Sequence, residues 1–203
     1  MAIRQRDPVR SRLAILDAGE RLFAERGYEA TSMAQIGDAA GLSRGAPGYF
    51  FKSKEALYRA VLDRLFEELR ELMIRPRPLD ARADGRAVVE AAMSDYVDLL
   101  YDHPRFISLM EREVLSGGRR LAKMPEHAAL VRDSVGLIGA VAAAAGFRDL
   151  DQSQLLLSFM ALAWFPMAHP PLVRDLGLDV NDQAFRDHLK RHAAALLLDG
   201  ALP

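Results

Sequence analysis

The sequence has no cysteine at all. Disulfides, thiol nucleophiles and cysteine-ligated zinc are therefore excluded, and a cytoplasmic protein is the expectation. Strand signals are almost absent too. Long apolar runs are missing: the longest nearly unbroken one, Leu155 to Ala168, falls short of the roughly 18 residues a membrane helix needs. It reads as a buried core helix, and no membrane partner is expected. The opening stretch "MAIRQRDPVRSR" has no apolar segment, so no signal peptide is expected. Catalytic fingerprints are equally lacking: there is no nucleophile elbow, phosphate loop or dinucleotide motif. His188 and His192 stand four apart, as zinc-ligand pairs can. Yet "HLKRH" lacks the metalloprotease glutamate, and Asp187, Lys190 and Arg191 mark a solvated face. Glu111 and Glu113, two apart, point away from each other on a helix. No enzyme, metal or cofactor is expected.

What is present is an ordinary soluble composition, 50% apolar and 27% charged in 203 residues, enough for one compact domain or two small ones. The net charge of −1 hides an asymmetry: residues 1–64 hold 11 Lys/Arg against 8 Asp/Glu, the remainder 16 against 20. A slightly basic head on an acidic body permits nucleic-acid binding by the head.

Helical signals run through the chain. Asp7-Pro8 opens a first helix, with Asp as cap and Pro at the first helical position. Ile15, Ala18 and Leu22 give it an apolar stripe, and Gly27 is its stop. Thr31 or Ser32 caps a second, with Ser32 and Gln35 as a capping box, and Gly41 ends it. Ser53 caps another, whose Leu57, Val61, Leu65 and Leu69 recur every four residues to about Ile74. "RPRPLDARADG" is a linker or long turn. Further helices are expected from about Arg86 to Tyr101, from Pro104 to Ser116, from Pro125 to Ala145, over 151–165 and over 182–198.

Between the second helix and Ser53 lies "GLSRGAPGYFFKSK", residues 41–54, dense in helix breakers. Its position after two helices is that of the turn and third helix of a helix-turn-helix. Ile36, Ala40, Leu42 and Pro47 fall where two crossed helices touch, and Gly37 is small enough for close approach. Ser43 is the expected cap of the third helix, with Arg44, Gly45 and Ala46 as its first turn and Pro47 fourth. Gly45 and Gly48 strip side chains from a face that must meet a phosphate-lined groove. Arg44 can hold a guanine bidentately in the major groove. Thr31 and Ser32 cap the second helix and reach phosphate. Lys54 opposes the macrodipole at a helix start, which favours a phosphate partner. Arg4, Arg6, Arg10 and Arg12 suit an arm along DNA. Phe51 fits the core, and Phe50 either the core or a thymine methyl.

"GYEATSMAQIGDAAGLSRGAPGYFFKSKEALYRAVL", residues 27–62, resembles the DNA-binding domain of the tetracycline-repressor-like (TetR) family of bacterial transcription regulators. The Gly-Tyr, Thr-Ser, Ala-Gly-Leu-Ser, Tyr-Phe-Phe and Ser-Lys-Glu-Ala-Leu elements occur in the family's order and spacing. "DHPRFISLMEREV" and "WFPMAHPPLVRDLG" resemble the bodies of some members. The resemblance implies an all-α homodimer: an N-terminal three-helix head over 1–54, then a larger helical ligand-binding and dimerisation domain over 55–203, joined by helix 55–74. It gives Tyr49 a ring packed on the DNA backbone with its hydroxyl on phosphate. It makes the last two helices an intersubunit four-helix bundle, with Leu155, Phe159, Leu162, Leu189 and Leu196 near it. Members usually carry Ala at 37, Thr at 46, Leu or Ile at 47 and Tyr at 48; here Gly37, Ala46, Pro47 and Gly48 stand instead. Two hydroxyl contacts, at 46 and 48, are thereby lost.

In the body, Tyr96, Phe106, Met110, Phe159, Trp164 and Met167 are large apolar residues on inward faces, suited to bundle core or to a pocket for a greasy ligand. His103 and Glu111 are candidate polar groups near such a pocket. The leading expectation is a dimeric, ligand-responsive regulator of a double-stranded DNA operator, more a repressor than an activator. The alternative is an all-helical small-molecule-binding or scaffold protein whose head has lost DNA binding.

Overall fold

The computed structural model describes residues 7–74, 85–147 and 151–201. Among these residues are ten α-helices, one 3₁₀ turn (Leu121–Lys123) and no strand. The helices are α1 (Pro8–Ala30), α2 (Met33–Ala39), α3 (Ala46–Phe51), α4 (Lys54–Ile74), α5 (Gly85–Asp102), α6 (Pro104–Leu115), α7 (Pro125–Ala145), α8 (Gln152–Ala168), α9 (Pro170–Asp175) and α10 (Gln183–Ala201). Arg4, Arg6 and positions 75–84 of the expected linker lie outside the described residues.

Helix starts follow local chemistry. Asp7 accepts from the Val9 amide at 2.9 Å, Ser53 from Ala56 at 3.1 Å, Asp151 from Gln154 at 2.8 Å and Asp182 from Ala184 at 2.9 Å. Each satisfies an amide that the first helical turn leaves unpaired.

The chain packs as two compact units. The first joins residues through Glu68 with Ser108–Glu126. Its core is the fully buried Ile15, Phe23, Ile36, Leu57, Val61 and Leu62, each of which stabilises the fold by about 1.5–3 kcal/mol. The expected stripe of α4 is therefore the buried one. The second unit joins Leu69–Ile107 with the residues from His127 onward. In it Met93, Val97 and Leu100 of α5, Ala163 of α8 and Leu198 of α10 have no exposed surface. Arg186 and Lys190 of α10 converge on Asp98 of α5, Lys190 at 2.6 Å. Burial alone would raise the Asp98 carboxyl, but the hydrogen bonds from Lys190 and Arg186 outweigh it and hold the group below its usual range.

Two expectations need correction here. α8 does not stop at Pro166 but carries it in its last turn, where only one internal bond is lost. Nor is α8 a buried core helix. Leu155, Phe159 and Ala163 face inward, while Leu157 is 60% and Phe165 50% exposed. Among the described helices, α7 alone is long and apolar enough to cross a membrane. Arg132 and Asp133 lie near its middle, and Asp133 pairs with Arg70 at 2.7 Å; charges at that depth are costly in lipid.

Candidate nucleic-acid interface

α2 begins with the expected capping box: Ser32 Oγ accepts from the Gln35 amide at 3.3 Å, and Gln35 Oε1 accepts from the Ser32 amide at 2.8 Å. Gly41, at φ +66°, turns the chain out of α2. Close packing then centres on Gly37. A Cβ there would lie 2.7 Å from the Ser43 carbonyl oxygen, 3.0 Å from Arg44 Cα and 3.2 Å from Pro47 Cδ. Only glycine lets the turn lie this close to α2.

α3 starts two residues later than the sequence suggests. Ser43 does not cap it with its side chain; Gly45 occupies the cap position, and no side-chain bond forms there. The Ala46 amide bonds to the Ser43 carbonyl at 2.9 Å as a turn. Pro47 thus sits at the second helical position, where its missing N–H removes no helical bond. Pro47 and Phe51 are buried and anchor α3 from behind. Arg12 lies over the Phe51 ring, 4.9 Å from its centroid. It belongs to α1, as does Arg10, so neither forms an extended arm.

The outward side of α3 is open. Tyr49 is 85% exposed, its ring edge-on to Phe50 at 5.3 Å. Tyr49 therefore takes no part in the core. Cβ atoms at Gly45 and Gly48 would meet nothing within 4 Å. Neither glycine has a positive φ, so nothing inside the chain requires glycine at either place. Ala46 is half-buried, and Ser32, Ser43 and Arg44 are exposed. Arg44 donates through Nε to both Asp38 oxygens, at 3.3 and 3.2 Å.

Two expected phosphate contacts have inward partners instead. Thr31 is 1% exposed and does not cap α2; its hydroxyl donates to the Gly27 and Leu22 carbonyls at 2.8 and 3.2 Å. Lys54 donates to the Tyr28 carbonyl at 2.9 Å and lies over the Tyr28 ring at 4.3 Å. The cause is the end of α1. Gly27 breaks the helix with φ 83° and ψ 169°, and one further turn follows. The carbonyls left unpaired at the break draw in cations. Arg112 of α6 takes Ala24 and Glu25 at 2.9 and 2.7 Å, and Lys54 answers its own misfit with the macrodipole in the same way.

A polar cluster beside this break escaped sequence reasoning. Glu113, 1% exposed, accepts from the Tyr58 hydroxyl at 2.8 Å and from Arg120 at 3.2 Å. Arg120 also lies over the Tyr28 ring at 4.1 Å. Burial, then the hydrogen bond and negative charge of Glu113, push the Tyr58 hydroxyl well above the usual tyrosine range. One signal was available: Glu113 continues the apolar stripe of Phe106 and Met110 along α6. For Asp38, six residues from Arg44 across a turn, there was none.

The body residues fall in several places. Met110 packs in the first unit, and Tyr96, His103, Phe106, Phe159 and Trp164 in the second. Phe106 and Trp164 meet edge to face at 5.6 Å. The Tyr96 ring lies 5.4 Å from Phe159, and its buried hydroxyl has no hydrogen-bond partner among the described residues. Of the expected dimer residues, Leu155, Phe159 and Leu189 are buried, Leu162 packs beside that core and Leu196 is 49% exposed. A mostly apolar groove between α8 and α10 is lined by Leu155, Leu162, Phe165, Leu189 and Leu196. His188 and His192 stack in parallel at 5.8 Å on exposed α10 surface.

A short helix anchored from behind, carried by a capped partner helix and presenting bare backbone, an arginine and a tyrosine outward, defines a helix-turn-helix DNA-binding protein. Residues 15–61 match the family of bacterial regulatory proteins of the tetR type, and residues 86–197 match the tetracyclin repressor-like C-terminal domain. The chain belongs to the TetR family of transcriptional regulators. It is 27% identical over 197 residues to the HTH-type transcriptional regulator RutR of Escherichia coli strain K12, covering 94% of this chain and 90% of RutR. In fold it is similar to the putative transcriptional regulator SCO4942 from Streptomyces coelicolor: TM-score 0.70, 20% identity, 92% of this chain and 97% of that one. FadR from Bacillus subtilis, solved with stearoyl-CoA, gives a TM-score of 0.68 at 16% identity over 93% of this chain and 98% of its own.

Proposed function

We propose that this regulator is a cytoplasmic homodimeric repressor that is released from its operator by an apolar small molecule. Residues 1–54 act as the DNA-reading head and 55–203 as the body, with helix 55–74 connecting them. Ser32, Ser43, Arg44, Gly45, Ala46, Gly48 and Tyr49 lie against the duplex. Thr31 and Lys54 support the head from within, and catalysis has no part in the scheme.

The observation that carries this is the outward face of α3. Its two glycines are demanded by nothing within the chain, and its tyrosine is 85% exposed. An apolar aromatic left in water and a backbone left bare both make sense against a groove lined by sugar and phosphate. The apolar groove of α8 and α10, with Leu157 and Phe165 beside it uncovered, supports a second copy of the chain packing there. Two-fold symmetry then sets half-sites one helical turn apart, about 34 Å. For the effector, the unpaired Tyr96 hydroxyl among Phe159 and its apolar neighbours supports a ligand with a single hydrogen-bonding atom on a greasy frame.

Titration of binding to random-sequence duplex against salt tests the central statement. Retained phosphate contacts give a steep linear fall of log affinity with log salt. No measurable binding at low salt would leave only an effector-binding body.

A further inference from the structure

Asp38 is a puzzle on a DNA-facing surface. It is 53% exposed and ion-paired to Arg44, itself 77% exposed. An exposed pair of this kind contributes little to stability. A carboxylate beside a polyanion also lowers affinity for every duplex. Its presence next to the one arginine of the turn therefore needs another reason.

The geometry supplies one. Both Asp38 oxygens accept from Nε of Arg44. That leaves the Nη1 and Nη2 end of the guanidinium unbonded to the described residues, and this end is the fork that matches guanine O6 and N7. The base of the side chain is fixed as well. Arg44 Cα lies 3.0 Å from where a Cβ on Gly37 would stand, and Asp38 is the next residue along α2. The contact at Gly37 thus locks the register between carboxylate and guanidinium. A long side chain with several free torsions is held at both ends before DNA arrives, and the entropy of ordering it on binding is reduced.

We infer that Asp38 is a positioning residue for base reading: it orients Arg44 toward a guanine and exchanges general affinity for discrimination. This rests on the DNA-binding role argued above and on the guanine expected of Arg44, and adds to them a second residue.

Selection of bound duplexes from a random pool, with the wild type, Asp38→Asn, Arg44→Ala and the double variant, tests it. The wild type should enrich a two-fold motif with one guanine per half-site that Arg44→Ala flattens. Asp38→Asn should weaken the same guanine preference about tenfold while binding random duplex as tightly as the wild type or more so. That retained binding also shows that the variant is folded. The double variant should yield the Arg44→Ala motif, because residues acting as one unit are not additive. An intact guanine preference in Asp38→Asn beside its loss in Arg44→Ala overturns the inference alone. So does a double variant that loses a further position, which would make Asp38 a base contact in its own right. An Arg44→Ala motif identical to the wild type's overturns it too. A wild type that enriches no sequence removes the DNA-reading role and this inference together.

Discussion

The first unit carries two groups of cations that look alike in sequence and differ in what they touch. At the break in α1, Lys54, Arg112 and Arg120 face carbonyls, ring faces and Glu113. At the turn before α3, Arg44 keeps its terminal nitrogens clear of the described residues and bonds only through Nε. The first group has its charge satisfied inside the fold, the second presents it. A basic residue in a DNA-binding head is therefore not by itself a DNA contact. A cation near a broken helix end finds carbonyls first.

The sharpest way to break this contrast is Glu113→Ala against Arg44→Ala. Glu113 is buried with two donors aimed at it, and its removal leaves the Tyr58 hydroxyl without its acceptor and Arg120 with only the exposed Glu29. A cost of about 3 kcal/mol is expected, at the low end for a broken buried pair because Arg120 retains 28% exposure. The thermal midpoint should fall by about 8 °C. Arg44→Ala should change stability by no more than about 0.5 kcal/mol and act on DNA binding instead. Equal midpoints for the two variants would erase the distinction.

Gly37→Ala comes next. The added methyl meets a carbonyl oxygen and an α-carbon, neither of which can rotate away. Overpacking costs about 1–3 kcal/mol, against at most about 1 kcal/mol gained from helix propensity, so a net loss of about 1–2 kcal/mol in chemical denaturation is expected. The departures at 37 and 47 belong together: the Pro47 ring is one of the groups that fill the space a Cβ would need. A neutral Gly37→Ala would mean that the turn yields more freely than the packing implies.

How much of this was legible from sequence depends on how far apart the interacting groups stand. Caps are local, so Asp7, Ser32 with Gln35, and Ser53 could be placed from neighbours two or three residues away. The helix-turn-helix contacts of Ile36, Gly37 and Pro47 were legible because the spacing of the motif fixes them. The start of α3 was misplaced because Ser43 is a good cap by type, yet the turn bonds through its carbonyl. Thr31, Lys54 and Arg112 were not legible: the carbonyls they serve appear only once Gly27 breaks α1, and Arg112 reaches them from 88 residues away. α8 misled for another reason. Composition cannot separate an apolar face that packs within a chain from one left for a partner.

Alkaline pH gives a smaller effect with a definite sign. Burial raises the Tyr58 hydroxyl above the ordinary tyrosine value of 10.0, and Glu113 adds to it. The folded state therefore favours the neutral phenol. Its contribution is complete below pH 10, the unfolded value, and is lost as pH rises beyond it. Tyr96, raised by burial, pulls the same way in the second unit. The thermal midpoint should hold steady up to about pH 10 and fall above it. Tyr58→Phe should cost about 1 kcal/mol near neutrality and make the alkaline fall shallower. A fall of unchanged steepness would place the sensitivity elsewhere.

Gly48→Ala has the smallest effect on stability and is the finest test of the contrast between the two faces of the head. At Gly37 a methyl has no room; at Gly48 it meets only solvent, on a backbone that alanine adopts without strain. Helix propensity then favours alanine by about 0.5–1 kcal/mol, so the variant should unfold at slightly higher denaturant. If α3 approaches a duplex with its backbone, the same methyl intrudes on that contact, and affinity for random duplex should drop about tenfold, or about 1.4 kcal/mol. The opposite signs are the point, since a residue conserving only the fold would move both measurements together. A variant both more stable and equally tight on DNA would show that the bare backbone at 48 has no part in the approach, leaving Arg44 and Tyr49 to carry it.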